Sequence, residues 1–506
     1  MAEEFRSCIQ QVSHVIMEEV CVLIECVIRA VLQYQIIQEP RVSRLLSGSR
    51  VQFLNDTIQA HRYALSLNQE NADILFNTAQ VLTTAAEAAQ ESKDPETQRE
   101  ATDLLKEAVE LFSSCLARQE LEFTESHAQA DAILTHPNEE EDLMEESSSL
   151  PDPPEEWATV MEPVTASSLV ETALAQLSTL STLISLSSSI SGTDANEFRA
   201  FAHIGATLIQ QKLPQYISLV PETSSTDVQD KPAGPYLSLS DAEPKLHMEN
   251  LSQPSNPKVE ASGEASIATG IFTAALAEAE YRAQLCTTRT YYDRIIGAFD
   301  SLETQITTTQ SMALLSAYAD ALVSFASTVS EMPLLPSDRS SMDESEAEVQ
   351  TLCWKALSKA QDLLAEAIKT FTSQNTSVSL QSRTNIFLMR GDIDLLRRQL
   401  ALSPNASPAI AGSSSTLLKN AGVYYRTAEG YAKTGTDLDE DEKAEASIKA
   451  AVVKVLEGDT NAINNLKALV MSIESQQAAA KTTDMIDEGL LGDEDKLKLN
   501  DVIAAD

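Results

Sequence analysis

Residues 53–82 read FLNDTIQAHRYALSLNQENADILFNTAQVL, and this stretch decides the fold. Leu54, Ile58, His61, Ala64 and Leu65 recur at three- and four-residue spacing, which places them on one face of a helix. Asn68, Gln69, Glu70 and Asn71 interrupt that period. Short polar side chains such as asparagine favour a turn because they bond to their own backbone. A second helix then starts at Ala72, with Ile74, Leu75, Ala79 and Leu82 facing inward. Small residues fall where the helices touch and larger apolar ones lie between. The stretch is therefore the second helix of one hairpin, a turn, and the first helix of the next.

Working outward, Lys93-Asp94-Pro95 breaks the pattern and a partner helix is expected over 102–116, burying Leu105, Ala108, Val109, Phe112 and Cys115. Ala64 and Cys115 occupy equivalent places 51 residues apart, against about 34 in regular arrays of this kind, so the repeats are irregular. Residues 139–156 hold nine acidic side chains, no basic one, and Pro151, Pro153 and Pro154, which predicts a disordered acidic loop. Residues 168–187 and 195–211 read as a further hairpin. The stretch 221–263 carries six prolines and two glycines and reads as a linker. Beyond it, helices are expected over 265–286, 311–328, 349–371, 382–400, 418–432 and 444–478.

The expected organisation is a helical cap or atypical segment over 1–50, repeat hairpins over 51–125 and the acidic loop over 126–156. A hairpin over 157–218, a linker over 219–263, a second helical lobe over 264–480 and an acidic tail over 481–506 follow. Apolar residues make up 43% of the chain and aromatics only 5%, with 15 glycines and 18 prolines in 506 residues. That mixture suits thin helical layers packed through small residues. The fold class is all-α: an irregular helical-hairpin solenoid in two lobes, with disordered acidic and Pro/Ser-rich insertions.

The phrase ALSLNQENADILFNTAQVL, residues 64–82, resembles the helix–turn–helix junction of the tetratricopeptide family. Thr78 and Leu82 stand where that family has leucine and tyrosine, and Gln69 where it has a turn proline. Residues 382–432 resemble it more weakly, through Gly391, Ala421, Tyr425 and Ala428; the overall layout resembles irregular repeat proteins of fungal type. The resemblance implies a surface that binds proteins. The groove and repeat-packing residues it points to are Asn77, Ala79, Phe112, Gly391, Tyr425 and Ala428. Some members of the family clamp a peptide carboxylate, which takes Lys and Arg beside asparagine. No Lys or Arg occurs in 72–90 or 168–187, so Asn77 is read as an ordinary polar residue and no clamp is expected.

The net charge of −40 repels nucleic-acid backbone and anionic membranes and attracts basic protein segments. Glu18, Glu19, Glu25 and Arg29 interrupt the apolar stretch 12–32 and argue against a membrane span. The six cysteines show no C-x-x-C spacing and are expected as free thiols in a reducing compartment. The cytoplasm is the expected compartment, with the nucleus as the alternative. No phosphate-binding loop, H-E-x-x-H helix or G-x-S-x-G elbow occurs. His127 and His136 flank Asp131, but imidazoles nine residues apart in a flexible segment are expected to be solvated. No catalytic residue, metal or cofactor is assigned. Arg390, Arg397, Arg398, Lys419 and Arg426 would line a positive groove, or pair within the helix with Asp394; pairing is the expectation.

Two functions fit. The first is a non-enzymatic scaffold or adaptor that grips a helical or extended peptide of a partner protein. The alternative is an acidic escort or assembly chaperone for a basic client such as a ribosomal protein or histone, bound through Glu139, Glu140, Glu141, Asp142, Glu145 and Glu146.

Overall fold

The computed structural model describes residues 29, 31–36, 50–90, 94–135, 163–189, 195–222, 256–300, 302, 311–332, 345–373, 379–434, 440–459, 461–464, 466 and 475–503. Among them there is no β-strand. The quoted junction folds as read. Helix α1 (Arg50–Leu67) ends at a turn in which the Asn68 side chain accepts from the Glu70 amide at 3.1 Å. The Asn71 side chain then accepts from the Ile74 amide at 3.0 Å, capping α2 (Ala72–Gln90).

Helix α3 (Pro95–Thr135) is far longer than expected. Asp94 caps its start by accepting from the Thr97 amide at 2.9 Å. The buried face continues past Phe112 through Cys115, Leu116 and Gln119, and the helix runs on over residues 126–135, where a loop was expected. Helix α4 (Ala166–Ser189) packs on α3. Next come α5 (Ala195–Thr207), a π-helical turn (Leu208–Lys212) and α6 (Leu213–Leu219).

The middle region comprises α7 (Pro257–Arg282), α8 (Thr288–Asp300), α9 (Ser311–Glu331) and α10 (Glu346–Ser373). Residues 257–263, assigned to the linker by composition, form the first turns of α7, where Asn256 caps and Pro257 occupies the first helical position. Helix α8 was not expected, although Tyr291, Ile295 and Phe299 fall four apart and are all buried.

The C-terminal region has α11 (Leu380–Leu402), the single turn α12 (Pro408–Ala411), α13 (Ser414–Thr434), α14 (Glu440–Leu456), α15 (Ser475–Asp487) and α16 (Asp493–Ile503). The acidic tail is thus helical, with Leu490, Leu491 and Leu499 in the core.

Helices pack mainly on their neighbours in chain order, which is how a solenoid buries its surface. Among the described residues three large apolar clusters result. Helix α7 gives Ala265, Phe272, Ala275 and Ala279 to the first and Ala274 and Ala277 to the second. Helix α11 gives Ile386 and Ile393 to the second and Leu388 and Leu395 to the third. The boundary expected at the linker is therefore bridged by a helix that belongs to both sides.

Among the described residues two helices, α4 over Ala166–Ser188 and α9 over Met312–Glu331, are long and apolar enough to cross a membrane. Both contribute to the shared cores.

Candidate functional site

The predicted packing residues occupy the cores. Ala79 is fully buried and Phe112 is 1% exposed, in one cluster. The Phe112 ring meets Phe76 edge-on at 5.7 Å, a favourable aromatic geometry. Far along the chain, Tyr425 and Ala428 are fully buried in the third cluster. The Tyr425 ring lies flat against Gly391, so a Cβ built there would sit 2.3 Å from a ring carbon; this close approach requires glycine. Asn77 is half-buried, and its amide donates to the Asp73 carbonyl of its own helix at 2.8 Å. The two groups of residues belong to separate cores and form no common site. Glu139, Glu140, Glu141, Asp142, Glu145 and Glu146 lie outside the described residues.

Of the arginines expected to pair with Asp394 within the helix, Arg397 does, and Arg390 and Arg398 take partners on other helices. Arg397 reaches Asp394 at 3.1 Å and lies over the Trp354 ring. Arg398 instead holds Asp495 of α16 through two hydrogen bonds of 2.6 and 3.0 Å. Arg390 donates to Gln361 and to the Tyr424 hydroxyl. Arg426 stands 3.9 Å from Glu457. A positive groove is not formed by these four, because local and long-range partners use them.

A second buried charge network sits beside Tyr425. Lys449, on α14, contacts both Asp392 oxygens at 3.0 and 3.1 Å and Glu445 at 2.9 Å. The Tyr425 hydroxyl donates to the same Asp392 at 2.7 Å. Burial alone would favour neutral Lys449, but Asp392 and Glu445 hold its ammonium well above the usual range.

Gln399, which bonds Asp495, and Glu488, beside Lys449, line a cavity of roughly 300 Å³. A more open concave feature lies where the first and second clusters meet. A cleft of roughly 340 Å³ is walled by α4, α7 and α9, with Gln90 at the end of α2 and Tyr291 of α8. Its size is that of a small binding pocket. Ala274, Ala275, Ala317 and Ala321 form an apolar wall, Ser181, Thr182, Ser185 and Ser324 a hydroxyl one. Small side chains keep the space open. At one end Glu278 is bound by Arg282 at 2.9 Å and accepts from the Thr328 hydroxyl at 3.1 Å, tying α7 to α9. Asp320 projects from the middle of α9 onto the cleft wall. Desolvation by the helices around it raises its carboxyl to about 6, although the residue keeps an exposed edge on the open cleft, and no charged group among the described residues offsets that shift. Ile271, on the α7 side, is 41% exposed. The sequence reading missed this site; an aspartate among alanines has no motif.

Burial pushes the Cys115 and Cys353 thiols up to about 12, so neither is a thiolate at neutral pH. His127 packs against Phe123 on α3. Among the described residues no group of three or more His, Cys, Asp or Glu is placed to hold a metal ion.

No protein-family model matches the chain, and no curated protein does. Among solved structures it is similar to a protein described as a circular tandem repeat protein with novel repeat topology and enhanced subunit contact surfaces. That similarity covers 95% of this chain and 97% of the other at 12% identity and a TM-score of 0.27. So low a superposition carries no argument about function; the all-helical repeat packing is read from this chain itself.

Proposed function

We propose that this chain is a non-enzymatic scaffold or adaptor that holds a partner protein at the cleft between α4, α7 and α9, in the cytoplasm. The observation that supports it is the cleft: an open space lined by small side chains, with Ile271 exposed beside it. Concave sites with an apolar wall and a few polar groups are where solenoids and other folds bind. The test is quantitative affinity capture from the native cell at low and high salt. The wild-type chain is compared with Ala321→Trp, which fills the cleft, and circular dichroism confirms that both are folded. A fixed partner retained at high salt by the wild type and lost by the variant is expected. Identical partners for both proteins would sink the proposal. Partners rich in Lys and Arg that leave at high salt, whatever fills the cleft, would favour the acidic escort instead.

A further inference from the structure

Resting on that docking reading, we infer that the cleft receives a lysine or arginine side chain of the partner, its methylene stem along the alanine wall and its cationic head at Asp320. Three observations converge. First, Asp320 faces the cleft, and no cation among the described residues pairs with it. The neighbouring carboxylate, Glu278, is already bound by Arg282. Second, the lining is divided as a long basic side chain is divided. Ala274, Ala317 and Ala321 offer the apolar surface on which such stems lie while the head stays polar. Ser324, one helical turn beyond Asp320, adds a hydroxyl acceptor. Third, the chain carries −40 net charge, which draws basic segments towards it before contact. The raised Asp320 carboxyl fits this arrangement, since an arriving cation would relieve it.

The probes are n-butylguanidinium, which copies the arginine side chain, and n-butylurea, its neutral isostere. Each is titrated into the full chain by ligand-observed NMR. The wild type should bind the guanidinium about fivefold more tightly than the urea, the size of a partly solvated ion pair. Asp320→Asn should erase that preference, and Ala321→Trp should abolish binding of both. Equal binding of the two probes to the wild type, or a preference that survives Asp320→Asn, overturns the inference. Equal binding that Ala321→Trp still abolishes would leave the docking cleft standing with an apolar occupant. Conversely, a preference erased by Asp320→Asn, with partner capture unchanged in Ala321→Trp, would leave a cation site without the docking function.

Discussion

The two ends of this solenoid share an architecture and differ in what they bury. Between α1 and α6 the buried polar side chains among the described residues are His61 and a set of hydroxyls and amides, among them Thr57, Thr78, Gln119, Thr172, Gln176 and Ser181. The hydroxyls of Thr57, Thr78 and Ser181 bond to carbonyls one turn back in their own helix. Gln176 bridges to α3, donating to Ser113 at 2.6 Å. From α11 to α16 the buried set includes Asp394, Arg398, Lys449 and Asp495. The first region pairs its charges at half-exposed positions, as in Lys212–Glu120 at 3.0 Å, while the last also pairs charge inside its core. Buried pairs add little net stability over an apolar contact of the same shape, but breaking one is costly because the survivor has lost both water and partner. The C-terminal region therefore tolerates less at its polar positions than the N-terminal region does.

The sharpest way to break the comparison is to delete one member from each end. Lys449→Ala should cost about 3–5 kcal/mol, and restoring neutrality with Asp392→Asn and Glu445→Gln should recover part of it. Phe112→Ala should cost a similar amount, about 3–5 kcal/mol, through the cavity it leaves, and no change of charge elsewhere should rescue it. Urea unfolding followed region by region by hydrogen exchange reads both. A rescue of Phe112→Ala, or none for Lys449→Ala, would erase the distinction.

Gly391→Ala comes next. The added methyl must displace the Tyr425 ring, at about 1–3 kcal/mol. It should also loosen the Tyr425 hydroxyl from Asp392, so protection of α14 should fall along with that of α13. Protection lost in α13 alone would show that the ring contact and the charge network are uncoupled.

Acid should separate the ends further. Burial raises Asp495 and Glu445, yet Arg398 and Lys449 overrule it and hold both carboxyls below the usual range. Such groups stabilise the fold above the unfolded carboxyl pKa of about 4 and lose that contribution as pH falls below it. Glu488, raised by burial, offsets part of the effect. Hydrogen exchange at pH 7 and pH 3 should show α14 to α16 opening before α2 to α4; the reverse order would contradict the reading.

The smallest effect lies at the cleft. Asp320 has a folded carboxyl near 6, above the unfolded value of about 4, so its ionisation opposes folding as pH rises through that window. Asp320→Asn should raise the melting temperature at pH 7.5 and leave it unchanged at pH 4. The gain should stay below about 1 kcal/mol, because the side chain is open to solvent. Equal shifts at both pH values would show that charge is not the cause.

What the sequence made legible follows the range of the interactions. Local periodicity placed Ala64, Ala79 and Phe112 inward, the repeat resemblance pointed to Ala421 and Tyr425, and each is at most 1% exposed. The length of α3 was hidden because its buried face stops at Gln119, so the helix beyond it has no core pattern for sequence to display. Arg398 and Asp495 lie 97 residues apart, and no window of sequence connects them; an acidic tail predicts solubility as readily as a buried partner. The cleft was hidden for the same reason. Its walls come from α4, α7 and α9, and no single helix carries enough of it to be noticed.

Helix α7 also decides how the chain can be divided. Composition suggests cutting within 223–255 to obtain two fragments. A fragment ending there would present α5 without the Phe272 that seats on its Gly205, and the other would begin with a helix apolar on two sides and covered on one. Each would expose a surface made for the other. Mixed, they should reassemble; alone, each should associate with itself. The unit of folding here is larger than either unit of composition.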